Sequence, residues 1–564
     1  MIVGIDLGTT HSLIGFHGPD GPVLVRNALG EYLTPSVVAL DADERVLVGQ
    51  AARDRFASHP HTGAATFKRY MGAERTVTLG NRRFRPEELS ALVLRSLVGD
   101  AEAHLGSKVT EAVISVPAYF SDSQRKATRL AGELAGLKVE RLINEPTAAA
   151  LAYGLQERKD NSTFLVFDLG GGTFDVSILE AFDGVMQVHA TAGDNFLGGE
   201  DFAAELVRDF CEANGLRLSD LPPREQAQLA ARMERAKQQL SSQDEVVVEV
   251  RLAGRDISWT VGEARFAQLV EPLVQRLRQP IERALRDARI NPAQLDEVVL
   301  VGGASRMPLV SRLAARMLGK LPLRHVNPDQ AIALGAAVAA GMKSRDESLE
   351  EIVLTDVCPY TLGLSVGRMD ANGRHTNGHF APLIERNCTV PVSREERFQP
   401  SQDWQTELHL EVYQGESPRV ANNIWLGVLK LPLPRKKADD NPVDVRFTYD
   451  INGVLQVEAT VVADGSRHEL ILQNSPGAMS PEEIRQRLGE LAALKVHPRD
   501  QQANVALIAR IDRLYEEHIG PPRQMLQDWL GRFMAALEGQ DLKVIEAHRA
   551  ELTQALDDFE SRVR

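Results

Sequence analysis

Phe164, Leu165, Val166 and Phe167 form an apolar run that breaks at Asp168 and passes through Leu169 into Gly170, Gly171, Gly172 and Thr173, after which an alternating pattern resumes as far as Ser177. Two short apolar segments around a polar break predict a β-hairpin with a bare backbone loop at its tip. The chain opens on the same pattern: apolar Met1, Ile2, Val3 and Ile5, then Asp6, Leu7, Gly8, Thr9 and Thr10, then a second alternating strand over 12–16. A repeated hairpin implies a repeated lobe.

Between and after these hairpins the pattern alternates strand, loop and helix. Residues 26–31 read as a turn and 34–40 as a strand. Helical periodicity over 86–105 precedes a buried strand at 112–116 closed by Pro117, and Ser121 stands where a helix N-cap belongs. This alternation predicts an α/β unit. Residues 343–351 are charged and tether-like, yet Ile352, Val353 and Leu354 follow as an apolar patch before Asp356. From Val357 to about Asn474 short alternating strands separated by glycine and proline turns, such as 407–413 and 443–449, predict an antiparallel sandwich. The tail opens on Ser480, Pro481, Glu482 and Glu483, a capping box. Apolar residues at Ile484, Leu488 and Leu491, then Leu526, Leu530, Phe533 and Leu537, predict amphipathic helices interrupted near Pro498 and at Pro521 and Pro522.

Composition narrows the class. At 564 residues, 43% hydrophobic and 25% charged, the chain is globular and long enough for several domains. A net charge of -14 argues against a nucleic-acid backbone as the main partner. Cys211, Cys358 and Cys388 are far apart and suggest neither a disulfide framework nor a zinc site, which points to a reducing compartment. No apolar run approaches membrane-spanning length and no charged leader precedes the first strand, so a cytoplasmic protein with no membrane partner is expected.

The hairpin tips carry the candidate chemistry. Residues without a β-carbon let backbone N–H groups turn on a phosphate, Thr173 adds a hydroxyl, and Asp6 and Asp168 can hold a hydrated divalent cation from opposite sides. Glu145 lies just before Pro146 and an alanine-rich helix, either as an ordinary helix-start acid or as a cleft residue. Residues 193–201 form a second glycine-rich turn opening a helix, a setting that favours anions. Glu234, Lys237 and Ser241 share one helix face, a pattern that suits a solvated salt-bridge surface as well as a site. Gly302 and Gly303 leave backbone bare for a flat ring, with Arg306 to stack on it. Lys68, taken alone, reads as a surface lysine. Neither a Walker phosphate loop nor a Rossmann glycine fingerprint occurs.

Several motifs together, Asp6-Leu7-Gly8-Thr9-Thr10, Val116-Pro117-Ala118-Tyr119-Phe120, Asn144-Glu145-Pro146-Thr147-Ala148-Ala149, Asp168-Leu169-Gly170-Gly171-Gly172-Thr173-Phe174-Asp175 and Val301-Gly302-Gly303, resemble the ATPase domain of the seventy-kilodalton heat-shock chaperones. The resemblance implies an actin-like α/β ATPase domain of duplicated lobes over 1–342, a linker over 343–356, a β-sandwich peptide-binding domain over 357–477 and a short helical lid over 478–564. It implies ATP/ADP and Mg2+ as cofactors, with K+ as a further candidate. Carried across by motif, Lys68, Glu145, Asp168 and Thr173 are catalytic. Asp6 and Asp168 hold the metal through water. Gly8, Thr9, Thr10, Gly170, Gly171, Gly172, Gly198, Gly199, Glu200, Glu234, Lys237, Ser241, Gly302, Gly303, Ser305, Arg306 and Asp329 bind ATP, and Gln238 replaces a position that is often basic. Pro117, Arg141, Ile352, Val353, Leu354 and Asp356 pass the allosteric signal, the apolar linker docking on the ATPase lobe when ATP is bound, while Phe380, Ser401, Leu408 and Leu410 line the peptide channel.

The lid and the segments between Lys68 and Pro117 and around 251–259 are shorter than usual, trims that resemble the divergent bacterial HscC-type members. The resemblance implies a monomeric, ATP-dependent chaperone in stress response and protein folding. Its partners are unfolded client polypeptides and a J-domain co-chaperone, and the need for a nucleotide-exchange factor stays open. A metabolite kinase or a filament-forming ATPase of the same fold is the alternative, though a kinase has no use for a sandwich and lid.

Overall fold

The computed structural model describes residues 1–154, 161–182, 185–323, 326–344, 353–369, 375–450, 453–472, 499–518, 520–538 and 542–562. Its organising pair of sheets is built twice to one plan. In the first, Ile2–Asp6 pairs antiparallel with His11–Gly18, which pairs with Gly21–Leu24; its other edge runs parallel to Glu111–Val116, itself parallel to Lys138–Asn144. In the second, Ser162–Leu169 pairs antiparallel with Phe174–Phe182 and this with Val185–Asp194, while its other edge runs parallel to Glu297–Val301. Val299 then bridges in parallel to Leu323, at the place that Lys138–Asn144 takes in the first sheet. The hairpins read from the apolar pattern therefore sit at equivalent places in two lobes.

The continuous apolar run at 164–167 has a packing cause. Leu165, Phe167 and Leu169 enter one core with Phe202, Leu206, Met233 and Leu277, whereas Phe164 and Val166 enter another with Ala148, Ala149 and Ala336. A strand covered on both faces has no polar side to alternate to. The second core lies between the lobes, where helices Glu145–Ala152 and Ala331–Lys343 cross. A β-carbon on Gly335 would fall 1.7 Å from the Ala148 carbonyl oxygen, so this crossing depends on small residues.

Local capping and turn chemistry accounts for several element boundaries. The helix read over 86–105 is Pro86–Leu105, with Glu88 Oε2 accepting from the Arg85 amide at 2.6 Å. Ser121 caps Asp122–Leu134, and Gln124 Oε1 accepts from the Ser121 amide at 2.9 Å. The strand read over 34–40 is divided into Thr34–Pro35 and Val38–Leu40. Ser36 breaks it because its groups serve the first hairpin tip: its amide donates to the Thr10 carbonyl at 2.8 Å and its hydroxyl to the Gly8 carbonyl at 2.8 Å.

Beyond the lobes, strand Val353–Val357 leaves the linker and pairs on both edges. It runs parallel to Val185–Asp194 through Val353, Leu354 and Thr355, and antiparallel to Thr389–Val390 through Asp356 and Val357. One continuous sheet thus runs from the second lobe into the next unit. That unit consists of two four-stranded antiparallel sheets enclosing a core of Leu364, Val412, Leu431, Phe447 and Val457. Helices Arg499–Glu517, Pro521–Glu538 and Leu542–Arg562 pack through Ile511, Leu514, Leu526, Phe533 and Leu556, the second starting at Pro521 as the proline pair predicts, while Pro498 lies outside the described residues. The capping box at Ser480 and the apolar positions Ile484, Leu488 and Leu491 lie outside the described residues, as does Ile352.

Candidate nucleotide cleft

The two hairpin tips meet between the lobes. A β-carbon on Gly171 would stand 2.6 Å from the Thr10 hydroxyl, and one on Gly172 would stand 3.0 Å from the Thr9 hydroxyl, so bare backbone is what lets them approach. The first tip is braced internally: the Gly8 amide donates to Ser12 Oγ at 3.1 Å. The second is braced by the turn that opens helix Gly199–Ala213, where the Gly199 and Glu200 amides donate to the carbonyls of Gly170 and Gly171, each at 2.9 Å. Gly198 has no room for a side chain, since its β-carbon would meet the Gly172 amide nitrogen at 2.4 Å.

Lys68 is not a surface residue. Its Nζ donates to Glu145 Oε1 at 2.8 Å, with the two residues only 3% and 5% exposed. Around this pair lie three more buried carboxylates. Asp6 accepts from Ser115 Oγ at 2.8 Å; burial and then the charge of Glu145 push its carboxyl up to about 7. Asp175 accepts from the Tyr119 amide at 3.0 Å and is pushed up to about 8 by burial first and Glu145 second. Burial also raises Asp168 well above its ordinary value, reinforced by Glu145, Asp175 and Asp6. One oxygen each of Asp168 and Asp175 is buried without a hydrogen-bond partner. Four carboxyl groups share one ammonium, which is why burial keeps protons on them and why a bound cation would favour their ionised forms.

The residues read from the sequence as nucleoside contacts lie in the second lobe. Lys237 Nζ, buried, donates to the Gly199 carbonyl at 2.7 Å and lies 2.7 Å from Glu234. The helix face thus has one member drawn inward to the glycine turn, while Ser241 donates to the Lys237 carbonyl at 3.5 Å. Burial raises Glu200 to about 7. Gly302 adopts φ +80°, and its β-carbon would meet the Leu169 carbonyl oxygen at 2.3 Å. Ser305 Oγ donates to the Gly302 carbonyl at 2.7 Å. Arg306 is half exposed, held by Asp329 at 2.5 Å and Asn327 at 2.6 Å, and Asp329 stands 2.7 Å from the place a Gly303 β-carbon would take.

From this cleft two hydrogen-bonded routes lead to the sandwich. Asn144, the residue before Glu145, donates through Nδ2 to Asp356 of the linker strand and accepts from Arg125 at 2.6 Å. Burial raises the Asp356 carboxyl, opposed by Arg125 and Arg141. Along the second route Tyr119, whose amide holds Asp175, accepts on its carbonyl from the Tyr360 hydroxyl of the sandwich at 2.9 Å, with the rings 4.4 Å apart. Pro117 is buried just before Tyr119 in the chain, its carbonyl accepting from the Phe120 amide at 3.1 Å.

The four channel residues read from the sequence do not converge. Leu410 points into the sandwich core and Leu408 packs partly against it, Ser401 is exposed, and Phe380 lines a separate cavity beside Arg386 and Glu416. Leu410 obeys the alternation of strand Glu407–Gln414, which turns it inward with Val412 and Gln414. Sequence reading also passed over Asp175, Ser115, Tyr119 and Asn144 as site residues. Asp175 had a usable signal: across the four-residue tip, register sets it directly opposite Asp168.

Two lobes of like topology, closing glycine tips over a buried lysine and four carboxylates, with a sandwich joined to one sheet, define a nucleotide-cleft ATPase yoked to a second binding unit. A family model described as Hsp70 protein matches residues 2–79 and 73–563. The chain is 39% identical to the chaperone protein dnaK3 of Thermosynechococcus vestitus, over 100% of this chain and 88% of the relative. It is 43% identical to the chaperone protein DnaK of Deinococcus proteolyticus, over 84% of this chain and 79% of the relative, and 40% identical to that of Thermotoga neapolitana, over 91% and 87%. The chain belongs to the Hsp70 family and is an ATP-dependent chaperone of that family. The finer likeness to HscC-type members has no counterpart among these relatives.

The raised carboxyls make the stability of the cleft depend on pH. Asp175 in the folded chain keeps its proton to about 8 against an ordinary 3.8, so the stability it confers is complete below about 4 and is lost as pH rises towards 8. Asp175→Asn, which is neutral throughout, should flatten that part of the decline. Thermal denaturation of the nucleotide-free protein between pH 5 and 8.5 checks this, and an unchanged slope would contradict the assignment.

Proposed function

We propose that ATP bound between the lobes sets the docking of the linker strand and, through it, the affinity of the sandwich for extended segments of unfolded polypeptides. In this reading residues 1–342 are an actin-like ATPase domain, 357–477 a peptide-binding sandwich and 478–564 its lid, with 343–356 as the coupling linker. The observation that carries it is the strand Val353–Val357, paired at once to the second lobe and to the sandwich. Such a strand is a two-state element, docked or released, of the kind that allostery requires. A metabolite kinase or a filament former would have no role for it.

The residues divide the work by position. The amides of Thr9 and Thr10 and of Gly171 and Gly172 face the phosphate chain, with the Gly8 and Gly170 amides spent on bracing the tips, and Lys68 neutralises charge that spreads over the transferred phosphoryl group. Glu145 and Thr173 orient the attacking water. Phosphoryl transfer depends on this positioning and neutralisation more than on covalent chemistry. Asp6 and Asp168 would hold Mg2+ through water, and the ion would supply charge neutralisation at the phosphates. The buried, unpartnered oxygen on Asp168 suits an ion kept at one water's remove. K+ is the candidate for a second ion. Lys237, Glu234, Ser241, Gly303, Arg306 and Asp329 hold the adenosine.

Hydrolysis removes the γ-phosphate that the two tips grip, and Asn144 and Tyr119 relay the loss to Asp356 and Tyr360. Clients exchange fast with ATP bound and slowly after hydrolysis, with a J-domain protein stimulating the step. No described helix is long and apolar enough to cross a membrane, and a cytoplasmic monomer fits the reading.

Two outcomes test it. Release of a fluorescent peptide should be severalfold faster with ATP than with ADP, and identical rates in the two states would refute the coupling. Lys68→Ala should lower single-turnover hydrolysis by about 10²–10³-fold while leaving nucleotide bound; hydrolysis at the wild-type rate would remove Lys68 from its role.

A further inference from the structure

The first lid helix, Arg499–Glu517, rests on the first lobe. Ala506 is buried among Val37, Ala39, Leu47, Ala51 and Ala52 of the first lobe, with Val505 and Phe56 packed beside them. Arg513 Nε lies 3.2 Å from Asp54 Oδ1 of helix Gln50–Ser58 in a nearly solvent-free contact. Asp54 also accepts from Gln50 Nε2 at 3.1 Å, and Arg513 is held from its own side by Glu517 at 3.3 Å and Glu560 at 2.6 Å. The same helix reaches the second lobe: Glu516 Oε2 is 2.9 Å from Arg224, at the start of helix Pro223–Gln239 that carries Glu234 and Lys237. Between lid and lobes lies a cavity of 1770 Å³, lined by His11 and Arg53 from the first lobe, Glu234 and Gln238 from the second, and Arg510 and Glu560 from the lid.

We propose that the lid clasps both lobes across the mouth of the nucleotide cleft and slows nucleotide release. The proposal rests on the reading of the cleft as a nucleotide site. A nucleotide held between the tips leaves only when the lobes part, and parting separates Gln50–Ser58 from Pro223–Gln239, the two helices the lid joins. The arms differ in strength. Breaking Arg513 from Asp54 would strand charges with little access to water, whereas Arg224 and Glu516 are partly solvated and cost little to separate. The second-lobe arm therefore yields first and sets the release rate, while the first-lobe arm keeps the lid docked. A lid drawn away to close on a bound peptide would free the lobes, coupling client capture to nucleotide exchange within one chain.

Release of a fluorescent, slowly hydrolysed ATP analogue from the full chain, chased with excess unlabelled ATP, tests the clasp. Arg224→Glu should speed release about two- to fivefold, and adding Glu516→Arg should restore the slow rate by reversing the pair. Arg513→Ala should speed it to about the same two- to fivefold extent, because the clasp is lost when either arm opens. Arg224 is on the surface, so the swap reports on the clasp even where Arg513→Ala perturbs the fold. Unchanged release in Arg224→Glu, or no rescue by the swap, overturns the clasp. A wild-type chain that retains no labelled nucleotide would instead overturn the nucleotide reading, and the clasp with it.

Discussion

Pairing of the linker strand Val353–Val357 with Val185–Asp194 is the contact through which the two halves of this protein become one structure. Backbone hydrogen bonds are directional, so a strand added to a sheet edge fixes the position and orientation of the chain beyond it. The sandwich is then set against both lobes. Lys126 Nζ reaches the Leu472 carbonyl, and Arg386 binds Asp287 of the second lobe at 2.8 Å and Glu416 of its own unit at 2.6 Å. Release of the linker would part Lys126 from Leu472 and Arg386 from Asp287. Leu354 adds an apolar side to the pairing by packing against the interlobe core.

That core is also the floor of the cleft, which is why the linker and the nucleotide site share a mechanical frame. Helix Glu145–Ala152 carries Glu145 at one end, and strand Lys138–Asn144 delivers Asn144 to Asp356 immediately before it. A shift of this segment by a fraction of an ångström is felt at both places, because close-packed small residues leave no slack to absorb it. The electrostatics point the same way. With four buried carboxyls against one lysine, burial holds protons that an entering cation would displace, and the lowest-energy geometry of the cleft changes when a cation and phosphates enter.

The hairpins, the tips and the helix caps were legible in the sequence because their causes are local: period-two alternation, glycine without a β-carbon, and capping side chains within three residues. Lys68 carried no local mark, since its burial depends on Glu145, 77 positions away, and only the family motif assigned it. The strand over 34–40 failed at Ser36 because a long-range demand from Gly8 and Thr10 outweighed strand propensity. Leu410 was legible as a strand residue but not as to its face, for which register with Leu429 across the sheet is needed. The lid's contact with the first lobe joins Arg513 to Asp54 across 459 residues, beyond the reach of any windowed pattern.

In the proposed coupling, nucleotide in the cleft holds the linker strand in the second lobe's sheet. Hydrogen exchange of the backbone amides over 353–357 measures it directly in the full-length protein. Exchange should be slow with ATP bound and fast with ADP. Equal protection in the two states would contradict it.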